Sequence, residues 1–365
     1  MKKITQTIVS LLIIVSFVGA ASCSSSNMKQ PHAKNIIFFI GDGMGLHQMF
    51  SAYTANGGSL SVDSVTHVGL QKTQSANKYI TDSAASGTAM ACGKKTNNGV
   101  IGKDTALNDL ESILKFAERH QMASGLVSTS SITHATPASF IANEDSRNSY
   151  EAIAADFLET DIDVFIGGGL NHFTQREDGR DLTRELQEKG YTVTTTIDEM
   201  KNFTGGKLAA FTADIHNPRM LDGRGDMLPA STKKAIELLD QNENGFFMMV
   251  EGSQIDWGGH ANDAEYVIAE TIDFFETVQV ALDFAKEDGE TLVVITADHE
   301  TGGMMILNGD YEKKTVETVF NTGGHTGIMI PVYAYGPGAE LFTGIYENTE
   351  FKQKFITALG MTESE

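Results

Sequence analysis

Cysteine and positive charge are both scarce in this 365-residue chain. Cys23 and Cys92 are its only cysteines, which excludes a scaffold held together by several disulfides. The chain has 27 lysines and arginines against 48 aspartates and glutamates, and its formal net charge is −21. This charge argues against a protein that binds the nucleic-acid backbone, and we predict no such partner. It also repels anionic ligands, so an anion site here requires a local cluster of cations.

Long apolar segments are also scarce. Residues 8–18 form a short apolar run that is too brief to span a membrane as a helix. Lys2 and Lys3 precede this run, and small residues follow it up to Cys23. A positive start, a short apolar centre and small residues before a cleavage point are typical of an export signal.

We therefore interpret residues 1–22 as a signal peptide and residues 23–34 as a flexible lipoprotein tether. Cys23 is the predicted lipidation site, although Ala20 stands where such processing sites usually carry leucine. The predicted location is the periplasmic side of a bacterial membrane, with the lipid as the sole anchor. The alternative is an ordinary signal peptide cut near Ala21 and a protein secreted to the periplasm.

Four apolar stretches of the chain each lead to an acidic or hydroxyl side chain. They cover residues 35–42, 125–128, 246–251 and 291–299, and they lead to Asp42, Thr136, Glu251, and Asp298 with His299. Such runs are typical of parallel strands that are covered on both faces. Ligands of these sheets bind beyond the carboxyl ends of the strands. The pattern thus predicts oxygens and imidazoles gathered at one edge, which suits divalent metal ions.

Segments with strand and helix patterns alternate throughout the chain. Helical spacing is present in residues 107–120, 230–239 and 264–284, and residues 331–335 form a plausible late strand. This alternation predicts an α/β fold, a three-layer sandwich with a central, mostly parallel sheet. We predict a single catalytic domain over residues 35–365. Within it, residues 174–227 are more polar, and we interpret them as a peripheral excursion with one short strand.

Residues 81–89 are unusually rich in small side chains. If a helix begins at Ser83, its free N–H groups can face a bound anion. A serine at that position, next to a divalent metal, can lose its proton and attack phosphorus. The alternative is a helix whose small residues serve only close packing.

Asp256 and His260 are four residues apart, so on a helical turn they share one face and can bind a single metal. Asp298 and His299 can bind a second metal, and His325 supplies a further imidazole. Two neighbouring metals can stabilise the attacking and leaving oxygens of an in-line displacement. Taken singly, each group has an ordinary structural alternative, such as a solvated helix pair or a helix cap. Their joint placement at strand ends favours the metal interpretation.

These motifs together resemble those of alkaline phosphatases, and the likeness extends from about residue 35 to residue 356. The matching segments are, in order, residues 41–45, 81–86, 135–138 with Arg147, 250–260, 296–303 and 325–327. The resemblance implies an alkaline-phosphatase-like fold and the hydrolysis of small phosphate monoesters. It also implies a possible homodimer.

The resemblance further implies a role for each matching residue. Ser83 is expected to form a phosphoserine, and Arg147 to bind phosphate oxygens as a bidentate fork. The expected cofactors are two Zn2+ and one Mg2+. One zinc ion would be bound by Asp256, His260 and His325, the other by Asp42, Asp298 and His299, and the magnesium ion by Asp42, Thr136 and Glu251.

His134 and Trp257 flank these ligands, and we predict that both lie beside the metals rather than bind them. His134 can hydrogen-bond water at the magnesium site or draw another zinc ion into it, so the third metal stays open at this point. A phosphodiesterase or sulfatase with the same metal core is the nearest alternative function. A lipid-tethered protein that binds phosphate without turnover is a more distant one.

Overall fold

The structure is a computed structural model, and it describes residues 32–65 and 67–363. Its strands are β1 (Asn35–Gly41), β2 (His67–Lys72), β3 (Ala123–Ser131), β4 (Val164–Gly168), β5 (Tyr191–Thr194), β6 (Lys207–Ala213), β7 (Phe246–Gly252), β8 (Thr291–Thr296), β9 (Glu300–Thr301), β10 (Met305–Asp310), β11 (Thr315–Val319), β12 (His325–Thr326), β13 (Ile330–Tyr335) and β14 (Gly344–Glu347). Its α-helices are α1 (Leu46–Ala55), α2 (Ser83–Cys92), α3 (Ile113–Arg119), α4 (Ala135–Ile141), α5 (Tyr150–Asp156), α6 (Leu170–Thr174), α7 (Leu182–Glu188), α8 (Ile197–Asn202), α9 (Met227–Leu239), α10 (Gln254–His260), α11 (Ala264–Asp288) and α12 (Glu350–Ala358).

A ten-stranded sheet with the order β14-β2-β13-β8-β1-β7-β3-β4-β6-β5 forms the centre of the fold. Strand β1 pairs in parallel with both β7 and β8, and Ile40 lies level with Glu251 on one side and Thr296 on the other. The carboxyl ends of these three strands therefore meet at one edge. Only β13 runs antiparallel to its neighbours β8 and β2. The predicted mostly parallel sheet is confirmed.

Strand β1 is buried along its whole length, and its side chains alternate between the two faces of the sheet. On one face the Phe38 ring lies 5.0 Å from that of Phe355 in α12, measured between ring centroids. On the other face the Phe39 ring lies 5.8 Å from that of Phe274 in α11. Burying each such side chain contributes roughly 1.5–3 kcal/mol. Helices thus cover both faces, as the three-layer prediction requires.

Two segments differ from their predicted form. The helix predicted over residues 107–120 begins only at Ile113, where the Ser112 hydroxyl accepts a hydrogen bond from the Lys115 amide. Leu107 has a positive φ of 63° and lies in a turn, so its apolar side chain does not mark a helix. Residues 174–227 contain two strands rather than one, since β6 as well as β5 joins the main sheet.

The predicted signal peptide and Cys23 lie outside the described residues, as does most of the predicted tether. Within the described ranges, no helix combines the length and hydropathy needed to cross a membrane. The other cysteine, Cys92, is a free, buried thiol at the end of α2. Burial raises the pKa of Cys92 to about 12, which agrees with a small residue of the core rather than a reactive nucleophile.

Candidate active site

Three carboxylates lie together where β1, β7 and β8 end. Asp42, Glu251 and Asp298 are each at most 1% exposed to solvent. Burial and the neighbouring carboxylates raise the pKa of Asp42 well above its usual range. Burial likewise raises the pKa of Glu251 to about 7, against the opposing effect of its hydroxyl partners. Buried carboxylates that crowd one another need cations to stay ionised, and metal ions bound here would supply them.

Potential ligand atoms form three groups, within each of which they lie no more than 4.8 Å apart. The groups are Asp256 with His299 and His325, Asp42 with Asp298 and His299, and Asp42 with His134 and Glu251. The groups share Asp42 and His299. The geometry is therefore that of one connected centre rather than of separate clusters.

The first group contains Asp256 and His325, two of the three residues that the sequence assigned to one zinc ion, together with His299 instead of His260. His260 lies beside this group. The Nε2 atom of His325 lies 3.2 Å from Nε2 of His260 and 3.6 Å from Oδ1 of Asp256. His260 in turn lies 3.4 Å from the same oxygen, one helical turn along α10. The Nδ1 atom of His325 lies 2.9 Å from the Thr81 carbonyl, so that hydrogen bond sets the ring orientation and leaves Nε2 toward the group.

The second group lies around His299. Its Nε2 atom is 3.1 Å from Oδ2 of Asp298 and 3.6 Å from Oδ1 of Asp42. The backbone amides of Gly43 and His299 both donate to Oδ1 of Asp298, which holds this carboxylate in place. The hydroxyl of Ser83 lies 3.3 Å from Nε2 of His299. The predicted nucleophile therefore reaches this group directly.

The third group is built around Glu251. Thr136 donates a hydrogen bond of 3.3 Å to Oδ2 of Asp42, and Ser128 donates one of 2.6 Å to Oε2 of Glu251. Three buried atoms of the centre have no hydrogen-bond partner among the described residues: Asp42 Oδ1, Glu251 Oε1 and His134 Nδ1. Buried polar atoms are almost always satisfied, so these atoms fit metal ions as their partners.

Helix α2 begins at Ser83, as predicted, and Asp82 is its N-cap. Oδ1 of Asp82 accepts a hydrogen bond from the Ala85 amide, and its Oδ2 accepts from the Gly99 amide. The small residues of this helix also serve close packing. A Cβ atom added at Gly87 would lie 2.7 Å from the Ser139 hydroxyl. The close-packing interpretation of residues 81–89 is therefore confirmed, and it is compatible with the role predicted for Ser83, which stays a prediction.

Arg147 brings a guanidinium to the same edge. Its Nη1 atom donates to Oδ2 of Asp82 over 3.1 Å, and its side chain is 23% exposed. Burial disfavours the charge on Arg147, but Asp82 and Asp42 raise its pKa, so it stays cationic. The other N–H groups of its guanidinium donate to no acceptor among the described residues, so they can bind an anion.

His134 is itself a member of the third group, and Trp257 lies beside it. That His134 lies beside the metals rather than binds them stays a prediction. The ring centroids of His134 and Trp257 lie 6.0 Å apart. His216, which the sequence did not single out, packs edge-on against Trp257 at 4.8 Å. Its Nδ1 atom accepts a hydrogen bond from the Ser131 amide. His216 follows β6 within residues 174–227, and no motif of that polar segment marks it.

Comparison with known proteins agrees with this geometry. The family model described as "Alkaline phosphatase" matches residues 33–316 of the chain. The chain belongs to the alkaline phosphatase family. It is 33% identical to Alkaline phosphatase 3 of Bacillus subtilis (strain 168), over 98% of both chains.

Solved alkaline phosphatases share the fold. The enzyme from the Antarctic bacterium TAB5 superposes with a TM-score of 0.86 at 42% identity, over 92% of this chain and 100% of that one. A variant of the TAB5 enzyme with Mg bound in its M3 site superposes with a TM-score of 0.87 at 41% identity, over the same shares. This alkaline phosphatase is thus a hydrolase of phosphate monoesters, and the predicted fold class is confirmed.

Proposed function

We propose that this alkaline phosphatase hydrolyses small phosphate monoesters through a phosphoserine on Ser83, at a centre that binds two zinc ions and one magnesium ion. The observation that carries the proposal is the 3.3 Å approach of the Ser83 hydroxyl to Nε2 of His299. That nitrogen belongs to a group in which Asp42 and Asp298 also offer oxygens. A hydroxyl beside such a group is placed to be activated by a metal.

The chemistry of each group supports a particular metal. Imidazole and carboxylate ligands suit Zn2+. We assign one zinc ion to the predicted ligands Asp256, His260 and His325, and the other to Asp42, Asp298 and His299. Oxygen ligands suit Mg2+ for the group of Asp42, Thr136 and Glu251. The magnesium ion in the TAB5 variant supports a magnesium site in this fold. In this proposal Trp257 is a neighbour of the magnesium ion, and His134, whose Nδ1 atom groups with Asp42 and Glu251, hydrogen-bonds water at that site rather than the metal itself.

Local charge resolves the conflict between an anionic substrate and a protein of net charge −21. Three divalent ions outweigh the four carboxylates of Asp42, Glu251, Asp256 and Asp298. Arg147 adds a further positive charge at the edge of the centre. Nearby charges act more strongly than distant charges that water and salt screen. A phosphate dianion therefore finds a positive pocket.

Two displacements at phosphorus complete the proposed reaction. Bound zinc ions lower the pKa of a nearby hydroxyl or water and neutralise a leaving oxygen. Ser83 Oγ forms a bond to phosphorus as the bond to the substrate alcohol breaks, and the alcohol leaves with a proton. Water then attacks the phosphoserine, releases inorganic phosphate and returns a proton to Ser83. Arg147 holds the phosphate oxygens in both steps, and two in-line displacements retain the configuration at phosphorus.

Substitution of Ser83 tests the proposal. We expect Ser83→Ala to lower kcat for p-nitrophenyl phosphate by a factor on the order of a thousand or more, because the nucleophile is lost. Acid quenching with labelled substrate should trap phosphoserine in the wild-type protein and none in the variant. Wild-type turnover in Ser83→Ala would refute the role of Ser83, and a protein that binds phosphate without hydrolysis would show no turnover in either form.

The type of ester distinguishes the nearest alternative functions. A third metal and the Arg147 guanidinium suit the three free oxygens of a monoester, so we expect p-nitrophenyl phosphate to have the highest kcat/KM. Bis-p-nitrophenyl phosphate and p-nitrophenyl sulfate test the phosphodiesterase and sulfatase alternatives. Faster turnover of either compound would overturn the monoesterase proposal.

We also propose that Cys23 carries a lipid that anchors the protein on the periplasmic side of the membrane. The support is the order of charged, apolar and small residues before Cys23 in the sequence. We expect Cys23→Ser to move the protein from the membrane fraction to the soluble fraction. Membrane association that survives this substitution would argue against lipidation.

A further inference from the structure

Three buried serine hydroxyls lie directly behind Glu251. Ser128 and Ser130 are in β3, Ser253 follows β7, and all three are 0% exposed. Their oxygens form a triangle with sides of 3.0 Å between Ser128 and Ser130, 3.0 Å between Ser128 and Ser253, and 2.9 Å between Ser253 and Ser130. No motif of the family resemblance includes Ser128 or Ser130.

The hydrogen bonds in and around this triangle give each hydroxyl an acceptor. The Ser253 hydroxyl donates to Ser130, and the Ser130 hydroxyl donates to the Ser131 carbonyl. The Ser130 amide donates to the Ser128 oxygen, and the Ser128 hydroxyl donates to Oε2 of Glu251 over 2.6 Å. Every hydroxyl proton therefore has an acceptor, and the Ser128 proton is committed to the carboxylate.

The two oxygens of Glu251 are thereby made unequal. Oε2 is bound by Ser128, whereas Oε1 is buried and has no partner among the described residues. Oε1 belongs to the side chain that groups with Asp42 and His134. A carboxylate fixed through one oxygen presents the other in a defined direction, and the strand pairing of Ser128 with Glu251 sets that geometry.

We infer that Ser128, supported by Ser130 and Ser253, is a positioning residue that presents Glu251 to the magnesium ion. The inference rests on the proposed role of Glu251 as a magnesium ligand. Partners that orient a metal ligand typically contribute ten- to hundredfold to metal affinity. Removal of the Ser128 hydroxyl leaves Oε2 buried without its donor, so the carboxylate loses its fixed direction.

Magnesium binding to the zinc-loaded protein tests this role. We expect Ser128→Ala to weaken Mg2+ binding ten- to hundredfold in calorimetric titrations while zinc content stays unchanged. Hydrolysis should recover at high Mg2+ concentration, since a positioning residue does not contact the substrate. Ser253→Ala should weaken Mg2+ binding in the same direction but less, because Ser128 keeps its hydrogen bond to Glu251 in this variant. It serves as the second variant if Ser128→Ala does not fold.

Ser124→Ala is the matched control. Ser124 is a buried serine of the same strand, but its hydroxyl donates to Glu118, which belongs to none of the three ligand groups. We expect wild-type Mg2+ affinity in this variant. Equal Mg2+ affinity in Ser128→Ala and wild type would overturn the inference. Absence of Mg2+ binding in the wild-type protein would instead refute the proposed magnesium site itself.

Discussion

Asp82 connects Ser83, the proposed nucleophile, to Arg147, the proposed phosphate-binding residue. One of its oxygens caps helix α2, directly before Ser83, and the other accepts hydrogen bonds from Gly99 and Arg147. A single side chain thus fixes the start of the helix and the guanidinium at the same time. The alignment of Ser83 with Arg147 therefore depends on a residue that contacts no metal group.

Substitution of Asp82 should separate these two effects. We expect Asp82→Ala to lower the free energy of unfolding by about 1 kcal/mol, because the helix loses its cap. It should also weaken inhibition by inorganic phosphate several-fold, because Arg147 loses the partner that orients it. Urea unfolding and inhibition constants measure the two outcomes. Asp181→Ala, which removes the N-cap of α7, is the control for a cap away from the site, and unchanged phosphate inhibition in Asp82→Ala would contradict the second effect.

At the residue scale, the sequence predicted the candidate metal ligands better than the residues that orient them. Aspartates and histidines at the ends of apolar runs can be recognised as candidate metal ligands by their type and position. The structure brings them together. Ser128 ends one of the apolar stretches, but nothing along the chain pairs it with Glu251. His216 lies in a polar segment that carries no motif. The importance of these two residues comes from contacts across the sheet, such as that of Ser128 with Glu251, which spacing along the chain cannot show.

At the element scale, a buried ion cluster fastens the segment after β6 to helix α11. The Arg224 side chain, 1% exposed, pairs with Glu270 and lies 2.8 Å from Asp273. We expect Arg224→Met to lower the free energy of unfolding by about 3–5 kcal/mol, because it leaves two buried carboxylates without a cation. Urea denaturation measures this change. Arg219→Met breaks an exposed pair with Asp222 and should cost about 1 kcal/mol or less; a similar loss in both variants would contradict the argument.

The same cluster makes stability depend on pH. Burial raises the pKa of Asp273 to about 6, although Arg224 opposes the shift. The Asp273 carboxyl therefore binds its proton more tightly in the folded protein than in the unfolded chain. The stability that this proton contributes is lost as pH rises from about 4 to about 6. We expect Asp273→Asn to remove this part of the decline, measured as the free energy of unfolding at pH 4 and at pH 7. An unchanged pH slope in the variant would contradict the shift.

Prediction of elements succeeded where burial is continuous and failed where context decides. Strands β1, β7 and β8 are uninterrupted apolar runs, and each was recognised from the sequence. Strand β6 lies in a segment of mixed polarity and became visible only through its pairing with β4 and β5. The antiparallel direction of β13 also depends on its neighbours rather than on its own residues.

At the scale of the whole molecule, metal binding should contribute to stability as well as to activity. Asp42 and Glu251 are buried with raised pKa values when no cation compensates them. We expect chelation to abolish hydrolysis and to lower the temperature of thermal unfolding, since a ligand at a thousand times its Kd adds about 4 kcal/mol. Scanning calorimetry before and after chelation measures the shift. Zn2+ and Mg2+ should restore both properties, and a chelated protein of unchanged stability would contradict this expectation.

The strand order limits how early the central sheet of the enzyme can fold. Strand β1 leads the sheet in sequence, yet its two neighbours begin only at Phe246 and Thr291. Strand β1 therefore has neither of its partner strands, β7 and β8, until most of the polypeptide has been made. No fragment that ends before β8 contains the centre of the sheet, so the site at its edge can assemble only when nearly the whole chain is available to fold.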